Sequence, residues 1–234
     1  MIQRGPDLPY SVVAGVVPFQ RKWLVASAKM HAATFACETP RIFDTFADVL
    51  AEKPAFSSIV VSAPIGFRDV PGTAARTCDR EARALLGARR AAVSNAPTYE
   101  TLRSGEWRGA HLDAVGVMLL PYYREIFAEM SPFRQRTVYS GHPELTFYRL
   151  NGDRPLRHSK NREDGRMERR EILERRIQSL HMVLKMQDAG VGLKYLYDAA
   201  ALLWSARLVS GHGARRIPQD AEWDSEGLRT EYVY

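Results

Sequence analysis

The chain has 234 residues, 45% of them hydrophobic, a formal charge of +6 and a pI near 9.4. That is enough apolar material for one large α/β domain with insertions, and the positive balance favours an anionic partner, nucleic acid above all. Two cysteines, Cys37 and Cys78, are too few and too far apart for a disulfide framework or a CxxC metal site, and no run reaches the ~20 apolar residues of a membrane span.

The opening residues, MIQRGPDLPYS, lack an apolar segment followed by a small-residue cleavage site, so a soluble cytoplasmic protein with two reduced thiols is expected. Ser11 to Val17 reads as a strand, Pro18 to Lys22 as a turn and Trp23 to Lys29 as the hairpin partner, with Ala32 to Glu38 as a third antiparallel strand. Thr39 is placed to cap a helix that has Pro40 at its first position, because Ile42, Phe43, Phe46, Val49 and Leu50 follow at helical spacing.

Ile59, Val60 and Val61 form an unbroken β-branched run, the pattern of a strand buried on both faces. It stops at Ser62, Ala63, Pro64, Ile65 and Gly66, a tight turn. Loops past the carboxyl end of such a strand are where open α/β sheets place their chemistry. Thr73 to Gly87 is predicted as a helix, on which Arg76, Asp79, Arg80 and Arg83 share a face that reads first as solvated and salt-bridged. A local Arg76–Asp79 pair could instead hold this helix to the turn at Ala63.

Gly87 to Thr98 reads as a loop, and Leu112 to Met130 as a helix that Pro121 should kink or split. Arg136 to Ser140 is a short strand running into Gly141, His142, Pro143 and Glu144, a second strand-to-helix turn expected beside Ala63. From Arg154 to Arg176 nine basic residues face five acidic ones. Its first part, to Gly165, reads as a mobile loop, in which Arg157, Lys160 and Arg162 are phosphate candidates because no helical register explains them. A helix from Arg166 should turn Ile172, Leu173, Ile177, Leu180, Val183 and Leu184 inward, its arginines lying mostly on an outer face. Leu193 to Ser210 is a packed apolar helix carrying Asp198, a carboxylate that is costly to bury unless something pairs with it. The tail should end in a β-like segment at LRTEYVY.

Several stretches then coincide: APIGF at Ala63 to Phe67, RTCDREAR followed by LG from Arg76 to Gly87, GHPELTF at Gly141 to Phe147, the Ser159, Lys160, Gly165 and Arg166 set, YDAAA from Tyr197, and DSEGLRTEYVY at the end. In this order they resemble an uncharacterised domain-of-unknown-function family of predicted ribonuclease-H-like nucleases. The resemblance implies a single α/β domain over residues 1–234 with a ribonuclease-H-like mixed sheet: three antiparallel strands plus parallel ones, flanked by helices. It also implies a helical insertion around 98–132 and a C-terminal extension around 211–234.

It further suggests phosphodiester hydrolysis with Mg or Mn, which needs several converging carboxylates. Acids expected at the end of the first strand, before the PIG turn and before HPE are replaced by Val17, Ser62 and Ser140, and Lys194 and Tyr195 stand where one is expected a turn before Asp198. The resemblance leaves Asp198 and Glu144 as catalytic and weak metal-ligand candidates, with His142 beside them. Ser62, Arg76, Asp79, Lys160 and Arg166 are the ligand or phosphate candidates.

Three functions remain open at this point. The chain could bind nucleic acid or a phosphate-bearing ligand with weak or absent hydrolysis. It could be an active metal nuclease with substitute acids from Glu38, Asp69, Asp79 or Glu81. It could also be a non-catalytic scaffold, for which an exposed patch of Trp107, Tyr122 and Tyr123 would speak. The residues do not choose DNA over RNA or fix an oligomeric state.

Overall fold

The computed structural model describes residues 10–32, 34–69, 75–108 and 110–234. The amino-terminal reading therefore lies largely outside the described residues, as does Thr73. The frame is a mixed sheet built on β1 (Ser11–Phe19), which pairs antiparallel with β2 (Lys22–His31) and parallel with β5 (Ser58–Val61). The hairpin turn is tighter than expected: Gln20 and Arg21, both at positive φ, are its two central residues, as a two-residue hairpin loop requires.

β3 (Thr34–Cys37) and the short β4 (Arg41–Phe43) pair antiparallel with opposite halves of β2, while β6 (Val138–Ser140) pairs parallel with β5. The main order is β3-β2-β1-β5-β6. Helices cover the sheet, giving an α/β architecture, and among the described residues no helix is long and apolar enough to cross a membrane.

β1 shows why the sheet is buried on both faces. Val13 and Val17 pack into a cluster with Leu196, Ala199 and Leu203 of α8 (Leu193–Ser210), whereas Val12, Ala14 and Val16 pack with Phe46, Tyr99 and Ile126 on the other side. This is the strand's two-residue period, with each fully buried valine contributing about 1.5–3 kcal/mol. Gly15 faces α8, and a Cβ there would lie 2.1 Å from the Leu203 backbone nitrogen and 2.3 Å from the Ala199 carbonyl. Only glycine lets the helix backbone approach the strand so closely, which fixes α8 and hence Asp198 over β1.

Several expectations are corrected. No helix starts at Thr39. β2 outruns β3, and its free ladder at Trp23–Val25 takes residues 41–43 as β4 before α1 (Phe46–Ala51) starts at Thr45, which forms a capping box with Asp48. α2 is Thr77–Leu86, and Gly87 to Ala92 is a 3-10 segment rather than open loop. After α3 (Tyr99–Ser104), α4 (Ala114–Glu129) runs unbroken through Pro121. α5 (Pro143–Leu150) follows β6.

α6 (Glu163–Glu174) starts before Gly165 and stops at Arg175, so Leu180, Val183 and Leu184 belong to a separate α7 (Leu180–Leu184). A Cβ on Gly165 would meet the Ser159 carbonyl oxygen at 2.0 Å, so the basic loop is packed against α6. Tyr122 and Tyr123 are buried, leaving only Trp107 of the expected apolar patch half-exposed. The tail pairs β7 (Arg216–Ile217) with β8 (Tyr232–Val233), and Val233 bridges to Gly141.

Candidate functional site

The carboxyl ends of β1, β5 and β6 are tied together by backbone bonds: Ser62 N–H donates to the Val16 carbonyl at 2.8 Å, and Gly141 N–H to the Val61 carbonyl at 3.0 Å. Ser140 Oγ donates to the Ala63 carbonyl at 2.7 Å. The two turns, at Ala63 and at His142, therefore lie side by side. Between them and the 3-10 segment, α4 and the basic loop is a cavity of about 370 Å³ lined by Ser62, His142, Glu144 and Lys160, with Arg89, Tyr123 and Tyr232 also in its wall.

Glu144, in the first turn of α5, is 4% exposed and accepts from Arg169 Nη2, and Arg89 Nη2 lies 3.5 Å from the same Oε1. Asp198, 5% exposed on α8, accepts from Lys160 Nζ, whose side chain is 37% exposed. Burial opposes the Lys160 ammonium, but the charge of Asp198 and its hydrogen bond outweigh that and hold the lysine pKa above its ordinary value. Three cations thus face two carboxylates. Glu144 Oε2, Asp198 Oδ1, Arg89 Nε and Arg169 Nε are buried without a hydrogen-bond partner among the described residues.

His142 is used differently. It caps α5, its Nδ1 accepting from Glu144 N–H at 3.3 Å, which leaves the proton on Nε2 to donate to the Ala92 carbonyl at 3.1 Å. Burial, ahead of the opposing pull of Glu144, keeps its pKa below the ordinary histidine value. A neutral ring with both nitrogens committed to backbone positions the turn. It has no free atom for acid–base work.

Arg76 and Asp79, at 5% and 0% exposure, are not on the solvated face that helical spacing suggested. Arg76 donates through Nε and Nη2 to the two Asp79 oxygens, through Nη1 to the Ile65 and Gly66 carbonyls, and through Nη2 to the Tyr232 hydroxyl. All five guanidinium hydrogens are engaged, so neither residue has capacity left for a phosphate. The alternative reading, a pair holding α2 to the PIG turn, is the observed one.

Arg166 lies outside the main cavity, in an adjoining groove with Lys160 and Lys194. Arg157 lines a separate depression beside Asp164, Glu168 and Glu171, an acidic setting for a proposed phosphate contact. Arg89 and Arg169 were not singled out from sequence. For Arg169 a signal was present: Gly165, Arg169, Ile172 and Leu173 share the buried face of α6, and an arginine in that row predicts an internal carboxylate partner.

Magnesium or manganese held by a two-ion site needs several free carboxylate oxygens. Here Asp198 and Glu144 each have one oxygen paired with a basic side chain and only one left over, and Val17 is packed in the core at 3% exposure. Of the possible substitutes, Asp79 is in the Arg76 clasp. Glu38 pairs with Lys29 and shares a different cavity with Tyr10 and Val12, and Asp69 accepts from Ser225. Among the described residues no three His, Cys, Asp or Glu side chains gather closely enough to hold a metal ion. The residues present do not fit a paired-metal centre.

A family model described as a protein of unknown function, DUF429, matches residues 15–223. No curated protein and no solved structure matches the chain.

Proposed function

The chain belongs to the DUF429 family, and from that premise we propose that it is a ribonuclease-H-like member that binds nucleic acid or another phosphate-bearing ligand between the Ala63 and His142 turns, with phosphodiester hydrolysis weak or absent. The fold reading is supported by the order β3-β2-β1-β5-β6, in which an antiparallel meander is followed by two strands parallel to the first. The binding reading is carried by one observation: at the strand ends, where metal chemistry would need excess negative charge, three cations face two carboxylates.

A phosphate oxygen is the natural complement of such a site, since charge-assisted bonds from lysine and arginine are about twice as strong as neutral ones. Hydrolysis is expected to be weak because nothing in the cavity combines a free carboxylate with a free base. The test measures fluorescent DNA, RNA and mononucleotide binding as ionic strength is raised. Affinity should fall with salt for a polyanion, following counterion release. Absence of binding by every phosphate-bearing probe at low salt would sink the reading.

A further inference from the structure

Resting on that reading, we propose that the cavity takes a phosphate monoester of about nucleotide size, with its phosphate against Lys160 and Arg89 and its ring against the α4 wall, rather than a length of polynucleotide. Two physical features point to this class. The first is partial enclosure. The lining comes from five separate segments, at residues 62–64, 88–96, 115–123, 141–144 and 159–161, with Tyr232 closing one side. They surround a volume of about 370 Å³, inside the ~300–1,000 Å³ range of small-molecule sites. A chain of nucleotides instead needs an open groove whose basic residues follow the backbone. Here the cations converge, with Arg89 and Arg169 on Glu144 and Lys160 on Asp198 close by, while Arg157 sits apart among acids.

The second feature is the division of the wall by polarity. Lys160 and Arg89 supply positive charge at one end, beside the buried carboxylate of Glu144, and Arg89 Nε is a buried donor with no partner among the described residues. Pro64, Ala92, Ala96, Val115 and Leu119 give the cavity an apolar side, with Ser94 and Asn95 interspersed in the same wall. Val115 is 49% exposed and Leu119 partly so, on the lip of the cavity. A free inorganic phosphate would satisfy the charged end and leave that apolar wall uncovered. A ligand with an anionic group and a planar ring would cover both.

The test is calorimetric titration of the full chain with adenosine monophosphate, adenosine, inorganic phosphate and a single-stranded oligonucleotide. Expected is binding of the monophosphate at least about tenfold tighter than either adenosine or phosphate alone. Arg89→Gln, which leaves Glu144 its Arg169 partner, should weaken it by about tenfold while the far-UV circular dichroism of the folded chain is kept. Val115→Ser, on the exposed lip, should weaken the monophosphate several-fold and leave phosphate unaffected.

If the oligonucleotide binds and the monophosphate does not, the small-ligand inference is overturned while the phosphate reading stands. Equal affinity for phosphate and monophosphate, or a monophosphate indifferent to both substitutions, overturns it as well. If no phosphate-bearing probe binds, both readings fall together.

Discussion

Two buried charge clusters sit close to the same strand ends and differ in how completely they are satisfied. In the Arg76–Asp79–Tyr232 clasp every guanidinium hydrogen has an acceptor, and the Tyr232 hydroxyl also reaches Asp79 Oδ1 at 2.9 Å. In the Lys160–Asp198 and Arg169–Glu144 cluster, four buried polar atoms, Arg89 Nε among them, have no partner among the described residues. A saturated network fixes one conformation and leaves a ligand nothing to bind, whereas an incomplete one carries a standing desolvation cost that a ligand or ordered water can relieve. The same residue types therefore support opposite assignments. The clasp is structural, and the cluster facing the cavity is the place to look for binding.

Breaking the clasp should produce the largest effect. Asp79→Ala leaves the Arg76 guanidinium buried and unpaired, and a loss of about 3–5 kcal/mol in chemical denaturation is expected. Cys78 provides a second readout beside it. Burial, ahead of the opposing charge of Arg76, pushes its thiol pKa up to about 12, so the native protein should resist thiol labelling at neutral pH and the Asp79→Ala protein should label much faster. Comparable stability and labelling in the two proteins would remove the distinction drawn between the clusters.

The cavity cluster should respond in the opposite proportion. Lys160 is more than a third exposed and solvent reaches its pair with Asp198, so Lys160→Met should cost less stability than Asp79→Ala, where both partners are buried. The same change should reduce affinity for a phosphate-bearing probe about tenfold or more, measured by titration at low salt. A variant that loses several kcal/mol but binds normally would show that this pair is a clasp too.

The difference between the clusters also marks how far the residues could be read. The β-branched runs of β1 and β5, the apolar span of α8 and the two sharp turns were legible, because period and turn chemistry act locally. β4 was not, since residues 41–43 match helical spacing and become a strand only because β2 has an unfilled ladder. Among site residues, Ser62, Glu144, Lys160 and Asp198 could be nominated from sequence, and the structure brings the first three to one cavity with Asp198 paired to Lys160 behind its wall. Arg89 was hidden in a segment without clear periodicity. Arg76 and Asp79 were visible as a pair, but whether their bonding capacity was spent depended on Ile65, Gly66 and Tyr232, which no local pattern brings together.

His142 links the two regions, because its ring lies 6.1 Å from that of Tyr232 in the clasp while its backbone begins the helix bearing Glu144. Its pKa is lowered by burial, against the carboxylates of Glu144 and Asp198 and with Lys160 acting in the same direction as burial. A histidine depressed in the folded state contributes stability that is present above its unfolded pKa of about 6.5 and is lost as pH falls toward the folded value. Stability should therefore decline below about pH 6.5, by at most about 1.4 kcal/mol per pH unit. Asp79, whose pKa Arg76 and Tyr232 hold down against burial, acts only below about pH 4 and does not overlap this window. His142→Asn keeps a capping side chain but removes the titration, so denaturation curves at pH 5 and 7 should differ less than in the parent chain. An undiminished difference would mean that the acid sensitivity arises elsewhere and that the ring is not held neutral by its surroundings.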